Sequence, residues 1–476
     1  MKQIIIKFLF LLISALLSVH LHSEAGDFVK DIPIKELKFQ IPSVQKDILG
    51  NGLIHYHDQF NDFPIAYLEI HFYSGDAATE SLPQETSTLF ADSFKFGGTE
   101  NFKDSELLTQ FENLGASIGV STSYEKTTLS VSFLSRDQKK ILELLEEMLN
   151  RPAFSESALS NGKMKLIDAI KRRNERTESL GFRKVKELVF KSYKKGYSNS
   201  IESVSKVSRD SILSFYEIIK KSPRTVVSSG LYDEKLLKDF IIKNLKIETS
   251  SKAQPDSIDL DVLKKDFAND PRKEIFIKKD VNQSMLILVG PAPEHSHKDF
   301  FAIQLLNYII GGGGFNSYFM QEIREKRGLA YSATSYPVFE KDHGLLYFYT
   351  LTKNETLKEA HTIMKQLLSP EVINKITEKE LTDAKNAINN QFVFLFSNRH
   401  SILSNQLGFE EDGMPPNYLE TYRENIQSVN LNDIRRVGKE YFYKENLKTI
   451  IVSSEKNIQK QYPEVKKLYE PEEKLH

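Results

Sequence analysis

"GGGGFNSYFMQEIREKRGLAYSATSYPVF", Gly311 to Phe339, reads as the glycine-closed end of one helix, the start of another, and a strand entered through Gly328. A glycine run ahead of a helix can cradle phosphate. This one has neither the Lys-Ser/Thr of a P-loop nor the spacing of a dinucleotide fingerprint, so the glycines are read as a helix stop and a tight connection.

Working outward, "QSMLILVGP" is an apolar strand ahead of the stretch and "DFFAIQLLNYII" the helix that the glycines stop. After it, "GLLYFYTLT" is a second strand and "LKEAHTIMKQLL" an amphipathic helix. The same order occurs earlier in the chain. Residues 50 to 75 hold two strand-like runs separated by "NDFP", read as a hairpin-like pair. A helix over 86–96 follows, then one with Leu107, Leu108, Phe111 and Leu114 on a single face, stopped by Gly115. The strands "SIGVSTSYEK" and "TTLSVSFLS" and the amphipathic "RDQKKILELLEEMLNRP", broken by Pro152, complete the unit. Each half then runs into long helical segments, 156–194 and 377–409.

The fold class is therefore α+β: two tandem homologous domains, each a mainly antiparallel sheet packed with helices. The polar, two-proline stretch 248–274 is the expected linker between domains at 26–247 and 275–476.

Residues 1–25 have the marks of a cleaved secretory signal. Lys2 and Lys7 precede an apolar run from Phe8 to Val19, and Ser23 and Ala25 are spaced for cleavage after Ala25. The run is shorter than the roughly 18–20 apolar residues of a spanning helix. Export follows, to the periplasm in a double-membraned bacterium and otherwise to the outside. With no cysteine, the chain is neither a disulfide scaffold nor a thiol enzyme. A formal net charge of -1 gives no electrostatic case for nucleic acid.

The wording "QEIREKRGLAYS", the duplicated halves and "TEKELTDAKNAINNQFVF" resemble the insulinase-like (pitrilysin, mitochondrial processing peptidase) zinc peptidase family over nearly the whole mature chain. The resemblance implies a clamshell of two halves around a chamber for extended peptides. It also implies that Arg324 and Tyr331, on the half without metal, reach the substrate carbonyl or transition-state oxygen beside the zinc. Guanidinium and phenol both donate hydrogen bonds to developing negative charge.

In that family the first half carries H-x-x-E-H, two zinc-binding His and a Glu base, just before a Gly-Thr pair. With Gly98-Thr99 setting the register of "LFADSFKFGGT", the ligand positions fall on Leu89 and Ser93 and the base position on Asp92. The third ligand position falls near Asp168, beside Ala169. Leu cannot bind zinc, Ser rarely does, and no intact ligand set can be assembled.

Two histidine pairs are other metal candidates. His55 and His57 point to one face of a strand, and His295 and His297 flank Ser296. Neither pair has an obvious third ligand, and both are expected to be solvated. No nucleophile-elbow G-x-S-x-G is present.

The leading reading is an exported, zinc-free subunit of a two-chain peptidase, with no cofactor of its own, that lends Arg324 and Tyr331 to a zinc-carrying partner. The alternative is a non-enzymatic peptide-binding or scaffold protein of the same fold. A third is an independent peptidase with a metal site rebuilt around Asp92, Asp168 and a histidine.

Overall fold

The computed structural model describes residues 44–50, 52–79, 81–246 and 257–475. The signal segment 1–25 and the first part of the expected linker lie outside these residues. No helix among the described residues is long and apolar enough to cross a membrane.

Two sheets carry the fold. The first contains β1 (Gln45–Ile48), β2 (Ile54–Gln59), β3 (Ile65–Phe72), β4 (Ser117–Thr122), β5 (Thr127–Leu134) and β6 (Arg224–Gly230), in the order β1-β2-β6-β3-β5-β4. The second contains β7 (Glu274–Lys278), β8 (Gln283–Ala292), β9 (Ala330–Phe339), β10 (Gly344–Lys353) and β11 (Lys448–Ser453), in the order β7-β11-β8-β10-β9. Without the edge strand β1, the two orders match strand for strand. Each sheet has one parallel pair, β2 with β6 and β7 with β11, and is otherwise antiparallel. One α+β plan is used twice.

The expected hairpin at 50–75 is not formed. β6 lies between β2 and β3, with Tyr56 opposite Val227 and Leu68 opposite Ser228. A turn signal such as "NDFP" reports only that the chain reverses. Which strand fills the gap is decided by burial, and β6 is buried at every position.

The two long helical segments are each broken in the middle, and the breaks give the molecule its closure. Glu156–Arg172 stays with the first half, but Thr177–Val189 crosses to the second sheet. There Leu180, Val185, Leu188 and Val189 pack on Met285, Ile287, Val289, Ile450 and Val452. Gly181 permits the approach, since a Cβ there would lie 2.7 Å from Met285 Sδ. In the same way Glu378–Phe392 stays with the second half, and Arg399–Glu411 crosses to the first sheet. Its Leu403 and Leu407 meet Tyr56 and Val227.

The second crossing has few apolar contacts and more polar ones. Glu410 accepts from Tyr56 Oη at 2.6 Å, Glu411 accepts from Tyr73 Oη at 2.8 Å, and Arg399 donates to Asp58 at 2.5 and 2.6 Å. This exchange of helices closes the two halves on each other as a clamshell.

The stretch read as linker carries a helix, Leu260–Asn269, among its described residues. Leu263 and Phe267 are one turn apart and buried in the apolar cluster under Thr177–Val189. Asp259 caps the helix by accepting from the Asp261 and Val262 amides.

Candidate functional site

The helix Thr86–Phe96 packs into the core of the first half. Phe90 and Phe94 stack on each other at 5.2 Å, and Phe154 lies 5.7 Å from Phe90. Leu89 and Ser93 are each 1% exposed. Leu89 sits among these apolar groups, and the Ser93 hydroxyl has no hydrogen-bond partner.

Asp92, one turn on from Leu89, is half-buried and lines a cleft of about 610 Å³ against Glu156–Arg172, with Phe96, Asn161 and Lys165. The two helices meet at Gly162, where a Cβ would lie 3.3 Å from Leu89 Cδ2 and 3.5 Å from Asp92 Oδ2. Asp168 points elsewhere. It is exposed and pairs with Arg172 Nε at 3.2 Å, and Ala169 beside it is exposed as well. Leu89, Asp92 and Ser93 do not fit a zinc ion, because the only ionisable group among them faces a cleft whose lining does not include Asp168. Among the described residues no group of three or more His, Asp or Glu side chains is arranged to hold a metal.

The histidine pairs have other uses. His55 and His57 do share one face of β2, with rings stacked at 4.9 Å, but they are buried rather than solvated. β2 is flanked by β1 and β6, and Lys238 of the helix Glu234–Asn244 reaches the same place through Asp47. His55 Nε2 lies 2.8 Å from Ser228 Oγ, and His57 Nε2 lies 3.1 Å from Asp47 Oδ2. Burial, helped by the neighbouring His57 and Lys238, pushes the His55 imidazole down to about 3, so it is neutral.

His295 is also enclosed. Its Nδ1 lies 2.7 Å from Asp412 Oδ2, and its ring lies 4.6 Å from that of Phe300. His297 Nδ1 accepts from the Asp299 amide at 3.2 Å.

In the second half the glycine run builds a tight contact rather than a phosphate cradle. The helix Phe300–Asn307 continues as a π-turn over Tyr308–Gly312. A Cβ on Gly311 would lie 2.5 Å from Ser335 Oγ and 2.7 Å from the Ser335 amide nitrogen, so only glycine lets β9 lie this close. A second π-wound segment, Met320–Glu325, buries Met320 and Ile323 and sends Arg324 outward. Gly328, at φ +61°, reverses the chain, and the Leu329 amide donates back to the Ile323 carbonyl at 2.9 Å. β9 therefore starts beside the helix it has just left.

This reversal brings Arg324 and Tyr331 together. Arg324 Cζ lies 4.8 Å from the Tyr331 ring centroid and 4.7 Å from that of Phe315. Tyr331 is 81% exposed and Phe315 61%. Glu325 Oε1 stands 3.6 Å from Arg324 Nε, beyond hydrogen-bond length. The arrangement offers a half-buried cation in contact with two exposed rings, one of them a phenol. Sequence reasoning missed Phe315. The signal for it was a large aromatic placed directly after four glycines, where no core position is expected.

The insulinase (peptidase family M16) model matches residues 87–201, and that of the peptidase M16 inactive domain matches residues 206–388. A Helicobacter pylori protein described as the non-peptidase homologue YmxG is 23% identical over 396 residues, which are 83% of this chain and 90% of that protein. The crystal structure of a peptidase M16 inactive domain from Pseudomonas fluorescens superposes with a TM-score of 0.72 at 19% identity, covering 87% of this chain and 98% of that one. That of a protease from Helicobacter pylori gives 0.71 at 17% identity, covering 87% and 100%. These structures carry the same fold. The chain belongs to the insulinase family, peptidase family M16, as an inactive member, and its sequence lacks H-x-x-E-H.

Proposed function

We propose that this chain is the exported, zinc-free subunit of a two-chain M16 peptidase, lending Arg324 and Tyr331 to the active site of a partner that carries H-x-x-E-H. The observation that carries the reading is a contrast between the halves. At the metal position Leu89 and Ser93 are buried and Leu89 fills core space, whereas a half-buried Arg324 is joined to an exposed Tyr331 in a pair outside the apolar core. An aromatic-cation contact that is not desolvated contributes about 0.5–1 kcal/mol to stability, a weak structural reason for the pair.

In this reading the substrate is an extended peptide. β9 ends the strand order of its sheet and carries Tyr331, so a peptide strand lying along it has its carbonyls beside the pair. The Arg324 guanidinium and the Tyr331 hydroxyl then donate to the scissile carbonyl and more strongly to the oxyanion that forms from it. The partner's zinc supplies the activated water and Lewis acidity. The signal-like residues 1–25 support an exported site of action.

The test is to purify the chain alone and together with an M16 subunit that has the zinc motif, then measure zinc by mass spectrometry and cleavage of a quenched fluorogenic peptide. The expected result is zinc and cleavage only with the partner. Stoichiometric zinc and cleavage by this chain alone would overturn the proposal. Stable peptide binding without any association with the zinc subunit would replace it with a non-enzymatic peptide-binding role.

A further inference from the structure

We infer that Phe315 is a positioning residue for Arg324: its ring and that of Tyr331 hold the guanidinium between them, so that the N–H edges already face the substrate. The inference rests on the reading of Arg324 as the donor to the substrate carbonyl.

The distances are nearly equal, 4.7 Å to Phe315 and 4.8 Å to Tyr331. A guanidinium whose central carbon lies over two rings is restrained by both contacts, and its five N–H groups all lie in one plane. The ring contacts and the 3.6 Å separation from Glu325 leave its N–H groups available for hydrogen bonds. An unsupported Arg side chain loses rotamer entropy on being fixed. Stacking in the free protein removes part of that cost before substrate arrives.

Phe315 is itself held in place although its ring is exposed. It lies in the one-turn segment Gly314–Asn316, entered through Gly314 at φ +59°. Ser317 Oγ donates to the Gly314 carbonyl at 2.7 Å, and Gln321 Nε2 donates to the Asn316 carbonyl at 3.2 Å. The ring contributes little to the core, being 61% exposed, and its cation contact is with Arg324.

The charges around the guanidinium explain why it needs support. Glu322 is taken up by Lys326 and Arg327, leaving Glu325 as the carboxylate nearest Arg324. Without Phe315 the guanidinium is free to close the 3.6 Å gap to Glu325 and turn its edge away from the substrate.

The experiment uses the complex of this chain with a zinc-motif subunit and a quenched fluorogenic peptide, preceded by Arg324→Ala as a control. Phe315→Leu, which keeps an apolar side chain but no ring, is expected to lower kcat about three- to tenfold with KM within twofold of wild type. Phe315→Tyr is expected to restore the rate. Adding Phe315→Leu to Arg324→Ala is expected to cause no further loss.

In the isolated chain, the Arg324 Nε–Hε NMR signal is expected to lose the part of its ring-current shift that Phe315 contributes in Phe315→Leu while the unfolding temperature is unchanged. If Arg324→Ala slows cleavage and Phe315→Leu leaves kcat intact, or raises KM alone, the inference is overturned and the functional reading stands. If Arg324→Ala leaves the rate unchanged, the functional reading itself has failed.

Discussion

His400, on the helix that crosses from the second half, places Nε2 3.1 Å from Glu69 Oε1 on β3 of the first sheet. His71 Nε2 approaches the other carboxylate oxygen at 3.0 Å, and His400 Nδ1 lies 2.8 Å from Ser229 Oγ. One carboxylate thus ties the crossing helix to the sheet beneath it.

Burial alone would raise the Glu69 carboxyl, but the hydrogen bonds from His400 and His71 outweigh it and hold the group at about 2. Because the folded value is depressed, the stabilisation is fully present above the unfolded value near pH 4.5 and is lost as pH falls toward 2. Its size is on the order of 3 kcal/mol. Urea unfolding across this range is expected to show wild type more stable than Glu69→Gln at pH 6, with the difference shrinking below pH 4.5. A constant difference down to pH 2.5 would count against the linkage.

Restoring the family's zinc residues is expected to damage the protein rather than recover a metal site. Leu89 is packed against aromatic core groups, so Leu89→Ala should cost about 2–4 kcal/mol. Leu89→His should cost a similar amount, by burying an imidazole without a partner. The triple variant Leu89→His, Asp92→Glu, Ser93→His should remain below one zinc per chain by mass spectrometry, because Asp168 is turned to Arg172 and supplies no third ligand.

Gly311→Ala tests the close approach that sets β9. The added methyl meets the Ser335 backbone, which cannot swing aside as a side chain can. A loss of about 1–3 kcal/mol is expected in chemical denaturation. Gly314→Ala meets no atom within 4 Å and pays only for its positive φ, so it should cost less.

The parts of the fold legible in the sequence are those written in local periodicity. β8, β9 and β10 and the helices between them follow from runs and turns within a few residues of one another, and their recurrence exposed the duplication. β6 and β11 were not legible. "RTVVSSG" and "KTIIVS" are short apolar runs inside helix-rich stretches, buried on both faces, and they join their sheets between strands far away in the chain.

The same cause hid the burial of His55 and His57, because β6 and the helix Glu234–Asn244, which join the neighbouring β1 around β2, come from distant sequence. At the candidate site, the resemblance of "QEIREKRGLAYS" to the family singled out Arg324 and Tyr331, and the structure brings the two together through a helix, a glycine turn and a strand. The resemblance could not give Phe315, whose approach depends on the turn geometry at Gly314.

The central claim is tested most directly by kcat for peptide cleavage in the reconstituted two-chain complex, with this chain as wild type or as Arg324→Ala. A tenfold or greater loss, over about 1.4 kcal/mol of barrier, is predicted, with zinc content and complex formation unchanged. An unchanged kcat in a fully assembled, zinc-loaded complex would contradict the account.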